Sequence, residues 1–210
     1  IYKMKLTKYF FQFFFIIILF LIFKILGPKI SSNVSCYFFK LVGPFFRSKK
    51  IIEKNINKAL PSLNRQALNK IINNMWGNYG RILSEYIYMK DFRLSNLSNN
   101  IEIKGLDILK SIKKENKPVI FISGHFNNFE LMAMQIEKSG IDLAAVYRPL
   151  NNNFLNGIME KIRIKYICKN QVKKGISGTK QLLSFFKKKT SIALMIDQRV
   201  SQGIKSKFFN

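Results

Sequence analysis

Pro118-Val119-Ile120-Phe121-Ile122-Ser123-Gly124-His125-Phe126-Asn127-Asn128-Phe129-Glu130 is the stretch that decides the fold. Residues 118–122 form an apolar run of strand length and read as a buried strand. A turn follows, and Asn127 or Asn128 is placed to cap a helix over residues 128–139, closed by Gly140. A strand feeding a helix through a short turn is the start of a βαβ unit. Downstream the alternation continues with a strand over 143–147, a helix over 153–164, a basic helix over 178–188 and a strand over 191–196. Upstream, 101–103 reads as a short strand and 106–114 as a helix. This alternation predicts an α/β fold with a mainly parallel central sheet flanked by helices. The chain stops at Phe208-Phe209-Asn210, inside what reads as another strand, so a missing C-terminal part is expected.

His125 is the one histidine in 210 residues. Histidine alone has an ordinary pKa that lets it exchange a proton near neutrality. Its spacing to Glu130 excludes the helical zinc motif, because five helical residues rotate by about 500° and leave the shared face. Across a strand-to-helix turn, however, Glu130 can reach back to one imidazole nitrogen and leave the other as a base. Two further strand ends carry reactive side chains: Arg148-Pro149 after 143–147, and Asp197-Gln198-Arg199 after 191–196. Open α/β sheets bind ligands outside the carboxyl ends of their strands. Each residue also has a plainer reading, as turn, cap or surface charge. Their convergence on one sheet edge is what favours chemistry.

The N-terminal part has another character. Residues 9–26 read YFFQFFFIIILFLIFKIL, interrupted only by Gln12 and Lys24. Eighteen helical residues reach about 27 Å, close to the roughly 30 Å of a bilayer core. Lys3, Lys5 and Lys8 precede the run and put the N-terminus in the cytoplasm. Gly27-Pro28-Lys29 follows in place of a small-residue cleavage site, which favours an uncleaved anchor over a signal peptide. A spanning helix, a monotopic anchor and a hairpin with residues 34–46 all stay open. The expected organisation is an anchor over 1–30 and a catalytic domain over 31–210. Within the latter, 48–60 reads as a basic amphipathic helix ended by Pro61. Ser62 is the expected cap of a helix over 63–89.

The chain has 48% hydrophobic residues, enough for a core, and a formal charge of +25. Nucleic acid, anionic lipid, acidic protein and a coding bias toward Ile, Lys and Asn all fit that charge. The lysines are scattered rather than clustered, which argues against nucleic acid. Cys36 and Cys168 stand far apart without metal-ligand spacing, so no disulfide framework or metal site is expected.

In order along the chain, several blocks resemble the bacterial lipid A biosynthesis acyltransferase family, the late lauroyl and myristoyl transferases. They are residues 73–81 (NNMWGNYGR) with Glu85-Tyr86, residues 124–130 (GHFNNFE), residues 146–152 (VYRPLNN), Arg163, Gly175 with the helix after it, and residues 195–199 (MIDQR). The N-terminal anchor resembles the family's too. The resemblance implies a glycerolipid-acyltransferase-like fold and transfer of a fatty acyl chain from acyl carrier protein to a hydroxyl of a lipid A precursor, in lipopolysaccharide biosynthesis. It implies the inner membrane, with the active site facing the cytoplasm, and neither cofactor nor metal. His125 would be the general base and Glu130 would orient and polarise it. Arg163 would act as an essential donor to oxyanion or phosphate. Arg148 would support the same charge, and Asp197 and Gln198 would lie at the acceptor or in a structural role. The neighbouring readings are a related acyltransferase using another phospholipid or glycolipid, and a non-enzymatic basic protein on the membrane.

Overall fold

The computed structural model describes residues 2–198, and for residues 2–4 and Asn96 only the backbone. Arg199 and the strand expected at Phe208-Phe209-Asn210 lie outside the described residues. The chain groups into two compact units, one of Ile1–Lys104 with Pro149–Ile167, the other of Gly105–Arg148 with Cys168–Asn210.

The first unit is helical. Its α1, Tyr2–Val42, is bent at Gly27, whose φ of 77° no L side chain adopts easily. Pro28 adds to the break, since it lacks an N–H for the helical ladder. At the bend the carbonyl of Phe23 accepts hydrogen bonds from Tyr88 Oη at 2.5 Å and Ser31 Oγ at 2.7 Å. Lys24, the cation inside the apolar run, pairs with Asp91 at 3.1 Å. Lys5–Phe45, which runs through the bend, is the one helix, among the described residues, long and apolar enough to cross a membrane.

The amphipathic α2, Lys49–Ala59, buries Ile52 against Leu68, Ile72 and Trp76 of α3, Arg65–Glu85. The cap of α3 is Asn64, not Ser62. Its Oδ1 accepts from Ala67 N at 2.8 Å, a bond that needs a side chain three residues upstream of the N–H. A 3₁₀ turn, Tyr86–Tyr88, then leads to the short α4, Met89–Leu94.

The second unit starts with α5, Leu106–Glu115, and holds a four-stranded sheet that is parallel throughout, as the alternation predicts. Its strands are β1, Ile120–Ser123; β2, Leu143–Tyr147; β3, Asn170–Lys173; and β4, Ser191–Met195. They lie in the order β1-β4-β2-β3. Between them along the chain come α6, Glu130–Lys138; α7, Asn153–Ile162; and α8, Ile176–Lys187, of which α7 belongs to the first unit. The core is built from Met134 on α6, Leu143 and Ala144 on β2, Val172 on β3 and Ile192 on β4.

Three expectations change. Residues 101–103 form no strand. They are too few to pair without a neighbour, and the described sheet passes them by. The strand β3 was not expected, because Asn170-Gln171-Val172-Lys173 offers one apolar residue to pattern recognition. The strand β1 is not buried: it pairs only with β4 among the described strands, and Ile122 keeps 62% of its surface exposed.

Candidate functional site

Sheet register explains which side chains meet. The strands β1 and β4 run parallel with Ser123 opposite Met195. Two residues further along each chain, His125 therefore comes opposite Asp197. The ladder carries on past the strands, with Ile196 N donating to Ser123 O at 3.0 Å. Past that bond both chains leave the sheet, and Asp197 grips the histidine twice. Its Oδ2 accepts from the His125 backbone N–H at 2.7 Å, and its Oδ1 lies 2.7 Å from Nδ1. These two bonds from His125, the backbone one first, hold the Asp197 carboxyl below its ordinary value although it is solvent-exposed.

A carboxylate at Nδ1 favours the tautomer with a proton there, which leaves the Nε2 lone pair open. Gln198 Nε2 stands 3.3 Å from that nitrogen and can donate to it. Phe129 presents its ring to the imidazole at 4.6 Å between centroids and 71° between planes. Phe129 belongs to the GHFNNFE block, which by itself assigns it no role. The only signal for it was its four-residue spacing from the histidine.

Local backbone geometry makes room for the grip. A Cβ on Gly124 would lie 3.1 Å from Asp197 Oδ2 and 2.9 Å from the Phe126 ring. Asn127 turns the chain with φ 43°, a left-handed value that asparagine tolerates. Neither Asn127 nor Asn128 is the cap of α6. Phe129 occupies that position without a side-chain capping bond.

Glu130 is the first residue of α6 and is buried. The place at Nδ1 that the spacing offered to Glu130 is held by Asp197. Arg148 stands exposed just beyond the end of β2, on the same sheet edge as His125 and Asp197. Arg163 belongs to the other unit. It opens the π-turn Arg163–Ile167, and its guanidinium lies 5.8 Å from the centre of the Tyr86 ring. Nearby, Asn152 caps α7 by accepting from Phe154 N at 3.1 Å, and its Nδ2 donates to Tyr9 O at 2.8 Å. Among the described residues no group of three or more His, Cys, Asp or Glu side chains is placed to hold a metal ion.

A parallel α/β unit with a carboxylate-held histidine at its strand ends, on a chain that also carries a long apolar helix, defines a class of α/β proteins with an oriented base. Within that class, the chain belongs to the bacterial lipid A biosynthesis acyltransferase family, whose profile matches residues 2–210. It is 23% identical over 178 residues to the lipid A biosynthesis palmitoleoyltransferase of Escherichia coli (strain K12), covering 82% of this chain and 57% of that protein. The lipid A biosynthesis acyltransferase of Shigella flexneri matches with the same identity and coverage. The chain thus spans 57% of the length of these curated relatives.

Proposed function

We propose that the full-length protein moves a fatty acyl chain from acyl carrier protein to a hydroxyl of a lipid A precursor, at the cytoplasmic face of the inner membrane. In this reading residues 1–30 anchor the chain and 31–210 belong to the acyltransferase domain. The observation that carries it is the doubly held His125, its Nδ1 on Asp197 at 2.7 Å, in a member of this family.

The chemistry follows from that grip. The acceptor hydroxyl takes the place of the Gln198 amide at Nε2. As its proton passes to Nε2, its oxygen attacks the thioester carbonyl. The carbon–sulfur bond then breaks, and the departing thiolate takes the proton back from the imidazolium. Asp197 stabilises the imidazolium formed in between, while Glu130 supports the histidine from the start of α6. Arg163 and Arg148 supply positive charge for the oxyanion or for acceptor phosphate. A positioned base of this kind contributes roughly 10²–10⁴ in rate.

The test is acyl transfer by the purified full-length protein from acyl-carrier-protein thioesters to a tetra-acylated lipid A precursor. His125→Ala and Glu130→Ala are expected to abolish transfer and leave membrane association intact. Normal transfer by either variant overturns the mechanism. An acyl product on a glycerophospholipid, with none on the lipid A precursor, overturns the acceptor.

A further inference from the structure

The part of α1 after the bend has its polarity inside out. Small residues face inward: Ser31, Ser35 and Cys36 are buried, and the Ser35 hydroxyl donates to Gly80 O of α3 at 2.7 Å. A Cβ on Gly80 would collide with the Ser35 carbonyl, and one on Gly77 would sit 2.7 Å from Cys36 Sγ. Two helices packed through glycine and serine gain close backbone approach, the mode used where burying large side chains yields nothing.

The large apolar residues point the other way. Ile30, Val34, Tyr37 and Leu41 recur at helical spacing on the stripe opposite that contact, and all are exposed, Leu41 to 73%. Phe45 and Phe46 continue the exposure at the helix end, Phe45 to 88%. A helix facing water would be built the opposite way round. By contrast the exposed residues of α3 are mostly polar, among them Asn69, Lys70, Asn73 and Asn74, with Ile71 and Tyr79 as the exposed large hydrophobics.

Two features say what covers the stripe. It continues the apolar surface of the helix before the bend, where Phe11, Leu21 and Ile25 are also exposed. It is followed at once by exposed Arg47, Lys49 and Lys50, of which Lys49 also lies 3.9 Å from Glu53. An apolar stripe rimmed by cations matches an anionic bilayer surface, with acyl chains under the stripe and phosphates at the rim. We infer that residues 28–50 are a second membrane-contacting element, lying in the interface of an anionic bilayer and distinct from the span before Gly27. The inference rests on the membrane-anchored reading of the preceding subsection.

The experiment places an environment-sensitive fluorophore on single cysteines in the full chain, with Cys36 and Cys168 buried and silent. The positions are Phe15→Cys in the span, Leu41→Cys and Phe45→Cys on the stripe, and Asn73→Cys on α3. The protein is bound to vesicles of phosphatidylethanolamine and phosphatidylglycerol with brominated acyl chains. Labels at 15, 41 and 45 are expected to brighten severalfold and be quenched by bromine, while the label at 73 stays in water. Changing Lys50 to Ala is expected to weaken the 41 and 45 signals by about five-fold, the worth of one interfacial cation. Quenching at 15 with water-exposed labels at 41 and 45 overturns the inference and spares the anchor. Water exposure at 15 overturns the anchor itself. Brightening at 41 without lipid, rising with protein concentration, shows a second copy of the chain on the stripe and also overturns the inference.

Discussion

Asp197 holds His125 by its backbone and its ring at once, so losing its charge and losing its shape have different consequences. Asp197→Asn keeps the shape but can present its amide N–H₂ to Nδ1, which favours the wrong tautomer. Transfer by this variant is expected to fall by about 10²–10⁴ with little change in KM, the loss expected when an orienting carboxylate goes. In the native protein the pKa of Asp197 is lowered, so its grip is present above the ordinary carboxylate value of 3.8 and is lost as pH falls through the lowered one. Loss of the His125–Asp197 contact, followed by NMR of the imidazole, is therefore expected only below the ordinary carboxylate range. Loss of that contact at or above the ordinary carboxylate range would contradict the lowered value of Asp197. Cys168 supplies a contrasting case. Burial pushes its thiol up to about 12, and Sγ donates to Leu143 O at 2.9 Å. It is expected to ignore iodoacetamide at pH 8 while the protein is folded and to react on unfolding; rapid labelling of the native state would contradict its burial. His125 stood out in the sequence as a lone titratable group after a strand. The identity of its carboxylate did not, because that depends on β4 pairing with β1, a neighbour separated from it by two other strands along the chain.

Among the elements, the contact between the second half of α1 and α3 depends most on single residues. Gly80 faces the Ser35 carbonyl with no space for a methyl group, and backbone cannot yield as a side-chain tip can. Gly80→Ala is therefore expected to cost about 1–3 kcal/mol by overpacking, outweighing the better helix propensity of alanine. Thermal unfolding followed by circular dichroism checks the sign: a higher Tm than the parent would mean that the helices part at no cost. The sequence made α2 legible as a basic amphipathic stretch, α5, α6 and α8 through the alternation of helices and strands, and β2 and β4 through runs of apolar residues. It did not reveal that α1 runs on past Gly27-Pro28, a pair that ordinarily ends a helix. Tyr88, remote in sequence, and Ser31, later on the same helix, supply hydrogen bonds to the Phe23 carbonyl at the break. The strand β3 stayed hidden for a related reason. Its place comes from the ladder to β2, with Val172 opposite Val146, rather than from its own composition.

At the scale of the molecule, 36 Lys and Arg against 11 Asp and Glu set a field that acts before any contact forms. The proposed donor is carried by an acidic protein, and the proposed acceptor bears phosphate. Both would be drawn in by a basic surface, and attraction of this type raises encounter rates more than it alters chemistry. The Debye length falls from about 14 Å at 50 mM salt to about 6 Å at 300 mM. KM for acyl-carrier-protein thioesters is therefore expected to rise by roughly tenfold across that range while kcat stays within about twofold. An uncharged short thioester such as an acyl-pantetheine has no acidic carrier to steer, and its KM is expected to stay flat. A matching rise for both donors would point to salt acting on the fold or on the acceptor. A flat response for both would mean that the +25 charge is turned toward the lipid alone.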